Sequence, residues 1–400
     1  MPPIRHITLP AGFLAAGVRC GIKTRGEDLA IIAAERDAAA AVVTTRNQVV
    51  GAPVLWIRKA LPRGYGTARG IVVNSGCSNV CTGAAGLKDA AAMAGDTARR
   101  LGTEPEKILV ASTGVIGHRL PMAKIRKGIA AAAGALATRN DAAALRAIMT
   151  TDTHEKSAVV RGRAAGKTFT VAGIVKGSGM IAPSMATMIG VITTDLAVRP
   201  PALHKALTAA VAASFNTITV DSDTSTSDTI AVFASGAAGN RPVTARSAAR
   251  KPFTAALTEV CRALARAVAA DGEGATKLIE ITVRGARSAP EAEIAAKSVA
   301  NSPLLKCAVH GGDPNWGRIA AALGKSAAKV DPDKLTIRIG GVALLARGAL
   351  RKFDLRKVEG HLAGPEVIIE CDLGLGKGTY TALTCDLSRR YVSINADYHT

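Results

Sequence analysis

Three features of the chain predict a mixed fold of β-sheets covered by helices. Short apolar, β-branched runs bounded by turn residues recur along its 400 residues. Alanine-rich helical segments are interleaved with them, and neither an internal repeat nor a long linker separates the two kinds. The length suits one large or two ordinary domains with a sizeable core.

The first seventy residues read mainly as strands and turns, with buried-strand character at 29–34 and 41–45. Residues 70–76 form a strand ending in a polar turn, followed by a helix over 88–101 whose terminal Arg99-Arg100 pair suits the helix dipole. Residues 107–112 are the next strand, and Thr113-Gly114 is placed in a strand-to-helix turn, where backbone amides commonly face anions or oxyanions. A helix begins with Pro121 in its first turn, another covers 141–149, and a strand spans 168–175. Residues 188–195 read as a buried strand closed by an acid. Helices at 200–215 and 252–270 flank a strand at 230–234, and 278–283 is a strand. The last third is read as a helix over 290–300, a motif over 310–318, and strands to the terminus.

Composition narrows the function. The chain is 48% hydrophobic and 20% charged, with no apolar run near the roughly 18 residues of a membrane span. No apolar stretch backs the charged N-terminus, so no signal peptide is expected. Seven scattered cysteines fit reduced thiols, and a cytoplasmic location is expected. The formal charge of +20 permits nucleic-acid binding, but aromatics are only 3%, too few for stacking platforms. The basic residues are spread out, as on solvated surface. Neither nucleic acid nor membrane is expected as a partner, and acidic small substrates are favoured.

Several motifs fail on inspection. Gly324-Lys325-Ser326 lacks the glycine that a P-loop needs five positions earlier, which is Ile319. Ser326-Ala327-Ala328-Lys329 has no companion motif and reads as helix surface. Cys77 and Cys81 stand without a second pair, so no metal is expected. His118 and His310 read as hydrogen-bonded loop or core residues. The stretch Lys176-Gly177-Ser178-Gly179-Met180-Ile181-Ala182-Pro183-Ser184-Met185-Ala186-Thr187-Met188 keeps two readings open. It is either a glycine-rich turn before a core strand or a loop that presents the Thr187 hydroxyl as a nucleophile. Glu273, between two glycines, is likewise either a simple turn residue or a partner for a ligand amine.

Taken together, these residues resemble the ornithine acetyltransferase family of arginine biosynthesis. Met185-Ala186-Thr187-Met188 looks like that family's self-cleavage site. The likeness extends through Gly12–Val18, Asn74-Ser75-Gly76, Ser112-Thr113-Gly114-Val115-Ile116-Gly117 and Thr150-Thr151-Asp152-Thr153. It continues in Ser214-Phe215-Asn216, Asp223-Thr224-Ser225-Thr226, Asp271–Lys277, Asp313–Arg318 and Ile394–Tyr398. Departures include Cys77-Ser78-Asn79 in place of Asn-Ala-Asn, Ser222 in place of glycine, and His399 in place of arginine.

The resemblance implies an α+β fold, an αββα sandwich of the self-cleaving N-terminal-nucleophile type with a smaller second α/β domain. Cleavage between Ala186 and Thr187 would leave fragments 1–186 and 187–400, pairing into an α2β2 assembly. Thr187 would be the nucleophile, with Thr113 and Gly114 as the oxyanion hole. Thr150, Lys176, Thr187, Glu273, Asn395 and Thr400 would bind substrate. The implied reaction moves acetyl from N2-acetylornithine to glutamate, with no cofactor; acetyl-CoA is a further co-substrate for some members. An aminopeptidase of the same architecture is the alternative.

Overall fold

Residues 6–182 and 188–397 are described by a computed structural model. Ala186, Thr187 and Thr400 therefore lie outside the described residues. β1 (Phe13–Val18) pairs antiparallel with β2 (Leu29–Thr44). α1 (Ala52–Ala60) leads to β3 (Tyr65–Cys77), antiparallel to β2, and α2 (Gly83–Leu101) crosses to β4 (Ile108–Val115), parallel to β3. α3 (Met122–Gly134) and α4 (Asp141–Ile148) precede the hairpin of β5 (Lys156–Ala164) and β6 (Lys167–Lys176). β7 (Ile189–Thr194) is antiparallel to β6, and α5 (Pro200–Ala212) carries the chain to β8 (Thr229–Ala234), parallel to β7. α6 (Arg250–Ala270) covers the outside.

The long strand β2 explains how one sheet becomes two layers. Both halves pair with β3; the first half also pairs with β1, and the second with β8. A register shift between Ala33 and Ala38, where Glu35, Arg36 and Asp37 are exposed, marks the bend. Ala30, Ile32, Ala34, Ala38, Ala40 and Val42 all face the same inner core, together with Ile71, Leu109, Val191 and Phe233. On the opposite face, Leu29, Ile31 and Ala33 pack with Met93 of α2 and Ile125 of α3. Ala41 instead joins the core under α5 and α6, with Leu207, Leu257 and Leu264. Period-2 alternation, apolar on both faces, thus yields helix, sheet, sheet, helix: the expected αββα sandwich.

A smaller unit follows. β9 (Leu278–Ala286), α7 (Ala289–Ala300), α8 (Pro303–His310) and α9 (Trp316–Gly324) lead into β10 (Thr336–Ile339), β11 (Val342–Ala346) and β12 (Ala349–Leu350). After α10 (Leu355–Leu362) come β13 (Glu366–Asp372), β14 (Gly378–Cys385) and the terminal α11 (Arg389–Asp397). The strand order is β12-β11-β10-β13-β9-β14. Ile279, Ile281 and Val283 of β9 pack on Ala292, Ala295, Ala296 and Val299 of α7.

Several local expectations need correction. The two short strands at 29–34 and 41–45 are one strand, because the bend keeps the pairing continuous. Residues 52–60 are helical rather than strand or turn, and β1 and β5 lacked a strong pattern in the sequence. Pro121 is the residue before α3, not its first turn. Residues 326–329 form a turn after α9, not a helix face. The last described element is the helix α11 rather than a strand. The expected cut does not separate folding units: β6 pairs with β7 and β2 with β8 across it.

Candidate active site

Thr113 and Gly114 lie within β4, near its end, rather than in a turn before a helix, and they pair with Ser75 and Gly76 of β3. Gly114 has φ +121°, a conformation open to glycine. A Cβ there would sit 2.4 Å from the Gly76 carbonyl carbon. The two strand ends therefore approach closely because residue 114 has no Cβ, whereas a Cβ on Gly76 would meet Ile22 and Lys23 instead. The neighbouring polar side chains are tied down: Ser112 donates to Asn74 (2.5 Å), and Asn74 donates to the Cys77 carbonyl (2.8 Å). Ser75 donates to the Ala147 carbonyl (2.7 Å). A rigid backbone platform results, suited to stabilising an oxyanion.

Lys176 is the last residue of β6, only 2% exposed, and its Nζ donates to the Thr150 hydroxyl (3.1 Å). Burial lowers its ammonium pKa, against the opposing pull of Asp152, Asp228 and Glu273. Beneath it, Asp152 accepts hydrogen bonds from the Gly177 N–H (2.7 Å), the Thr150 N–H (3.0 Å) and Lys156 (2.7 Å). Burial alone would raise the Asp152 carboxyl, but Lys156, Lys176 and the Gly177 N–H hold it below the usual carboxylate range. Lys156 also pairs with Asp271, the residue that ends α6. Asp271 in turn accepts from the Thr153 N–H (3.0 Å). One buried lysine thus ties the 150–153 segment to α6.

Glu273 follows directly. Its N–H donates to the Ser178 carbonyl (3.0 Å), and the Ser178 hydroxyl donates to the Asp271 carbonyl (2.6 Å). The Glu273 carboxylate lies flat against Gly179, where a Cβ would sit 2.3 Å from it. Asn395 of α11 donates to Glu273 Oε2 (2.9 Å). The flanking glycines allow close packing: a Cβ on Gly272 would sit 2.6 Å from the Cys385 Sγ, and one on Gly274 2.6 Å from the Tyr391 backbone nitrogen. The second domain braces this loop. Asp386, just past β14, accepts from the Thr276 and Lys277 N–H groups (2.7 and 2.9 Å) and pairs with His310 (2.7 Å). His310 is a hydrogen-bonded support, as expected from its isolation in sequence.

These segments meet at one pocket. Thr113, Gly114, Thr150, Lys176, Glu273 and Asn395 all line it, joined by Ile116, Thr151, Gly179 and Met180. A buried cation and a carboxylate in one small pocket complement an amino acid's opposite charges. Sequence reasoning missed Asp152, Lys156, Asp221, Asp228 and Asp271, which hold the lining residues in place. The signal was present, since Asp152, Asp271 and the aspartate-rich 221–228 loop stand in or beside the quoted motifs. Among the described residues no cluster of three or more His, Cys, Asp or Glu side chains could hold a metal ion.

Comparison with known proteins decides the family. The ArgJ family model matches residues 14–400. The chain belongs to the ArgJ family. The arginine biosynthesis bifunctional protein ArgJ of Dehalococcoides mccartyi is 45% identical over 401 residues, covering 100% of this chain and 98% of the relative. The protein of the same name from Symbiobacterium thermophilum is 46% identical over 397 residues, covering 98% of each. A crystal structure of ArgJ from Bacillus halodurans is 41% identical with a TM-score of 0.50; the match covers 52% of this chain and 97% of that one. Family membership agrees with the sandwich architecture.

Proposed function

We propose that this chain is a glutamate N-acetyltransferase of arginine biosynthesis, moving acetyl from N2-acetylornithine to glutamate through an acetyl ester on Thr187. The carrying observation is the pocket itself. Six residues from five distant segments, each singled out by its chemistry or its motif, line the same small cavity.

The chemistry requires a free amine beside the hydroxyl. Thr187 Oγ attacks the Ala186 carbonyl carbon, the peptide nitrogen leaves, and water hydrolyses the ester to an Ala186 carboxylate. The released α-amine, with an ordinary pKa of about 7.7–8.0, then serves as the base that an unassisted threonine lacks. In the transfer step the amine takes the hydroxyl proton as Oγ attacks the acetyl carbonyl, and returns it to the departing ornithine amine. Backbone donors at Thr113 and Gly114 would stabilise the oxyanion. Lys176 suits a substrate carboxylate, and Glu273, oriented by Asn395, suits the ornithine ammonium. Glutamate then takes the acetyl from the ester. The same ester could be filled from acetyl-CoA.

Support for the cut comes from the solved relative, whose roughly half-length chain matches this one over nearly its full extent. Strand pairing across the cut would keep fragments 1–186 and 187–400 together, and an α2β2 assembly would have a native mass near twice 40.8 kDa. The enzyme is expected to work in the cytoplasm.

Intact mass of the purified protein is the direct test. The expected result is two polypeptides, the second beginning at Thr187, and one uncut chain for Thr187→Ala. An uncut wild type would overturn the mechanism. Incubation with glutamate and either N2-acetylornithine or acetyl-CoA separates the two donors. Release of amino acids from peptides without transfer to glutamate would favour the aminopeptidase reading instead.

A further inference from the structure

The loop between α5 and β8 grips the chain on both sides of the expected cut. Upstream, Asp221 accepts hydrogen bonds from the Met180 and Ile181 N–H groups, both at 2.7 Å, and the Val220 N–H donates to the Ile181 carbonyl (2.7 Å). Downstream, Asp228 Oδ1 accepts from the Met188 N–H (2.8 Å), and the Thr229 N–H donates to the Met188 carbonyl (2.9 Å). Asp228 is fully buried. Its second oxygen, Oδ2, has no hydrogen-bond partner among the described residues.

The downstream grip bears on the nucleophile through covalent geometry alone. The peptide group is planar, so the Met188 N–H direction fixes the plane that contains the Thr187 Cα. Adjacent Cα atoms stand about 3.8 Å apart. A bond that fixes the Met188 amide constrains the residue covalently joined to it.

We propose that Asp228 is a positioning residue for Thr187: by accepting the Met188 N–H it aims the nucleophile for self-cleavage and for acetyl transfer, while Asp221 steadies the opposite flank. This rests on the reading of Thr187 as nucleophile. The role needs an acceptor, not a charge. Burial pushes the Asp228 carboxyl well above the usual carboxylate range, even against the Met188 N–H and Lys176, which favour the anion. Asparagine has nearly the same shape as aspartate and keeps the acceptor oxygen.

The test compares Asp228→Asn with Asp228→Ala in the full chain. Intact-mass time courses should show D228N cutting within about threefold of wild type and D228A at least about tenfold slower, the scale of effect that misplacing a reacting group by a fraction of an ångström produces. In the cut fraction of D228A, kcat for acetyl transfer should fall while KM for N2-acetylornithine stays within about twofold, because substrate contacts are intact. Thermal melts establish that each variant is folded. D228A cutting at the wild-type rate overturns the proposal. A folded D228N that fails to cut also overturns it, whether or not D228A folds. An uncut wild type would instead remove the underlying reading of Thr187.

Discussion

The rim of the sandwich and the core of the second domain bury very different material. Among the described residues, the side chains of Asp152, Lys156, Lys176, Asp228 and Asp271 are all buried around the sandwich's strand ends. The second domain's sheet packs Ile281, Val283, Ile337 and Ile369 against alanine and leucine, with Lys306 and Asp386 as its buried charged side chains among the described residues. Buried charge is costly unless paired, so it is retained where geometry must be specified. The dry domain contributes rigidity: through Asp386 and α11 it presses the Glu273 loop and Asn395 onto a site whose polar parts lie elsewhere.

Breaking the buried network should cost most. Lys156→Met leaves Asp152 and Asp271 without their shared cation, and a stability loss of about 3–5 kcal/mol is expected in denaturant melts. Gly114→Ala comes next. A Cβ at φ +121° against the Gly76 backbone must displace the platform, and the expected loss is about 10²–10³ in kcat, the cost of losing an oxyanion donor.

Acid sharpens the same contrast. The Asp152 carboxyl is held below its ordinary 3.8, so its contribution to stability is present above that value and is lost as pH falls through the folded pKa. Asp386 is also depressed, although burial alone would raise it; the hydroxyl and N–H of Thr276, with His310 and the Lys277 N–H, outweigh that. Thermal melts should therefore fall steeply below about pH 4, and the Lys156→Met protein should lose part of that dependence. The smallest effect belongs to the dry core: Ile281→Val should cost about 1 kcal/mol in melts and leave kcat and KM unchanged.

Much of the site was legible before any coordinates. Thr113, Gly114, Thr150, Lys176 and Glu273 stood out by residue type and setting, Asn395 only through the family resemblance, and all six line one pocket. Local patterns also located most strands and helices, because apolar periodicity reports directly on which face is buried. The misses have physical causes. β2 read as two strands because exposed Glu35, Arg36 and Asp37 interrupt its apolar pattern at the bend. α1 was missed because packing of Val54, Trp56 and Ile57, not propensity, makes so short a helix stable.

The amino-acid order by itself determined the chemistry available: a threonine behind glycines, a lysine and a glutamate for a charged substrate, and small residues where backbones must touch. Tertiary structure alone decided how these are held. Asp152, Lys156, Asp228 and Asp271 act through partners 2 to 118 positions away in the chain, where sequence gives no distance, as in the Lys156–Asp152 and Lys156–Asp271 pairs. Hydrogen bonds and charge pairs depend on separations of a few ångströms, and only the folded sandwich sets those.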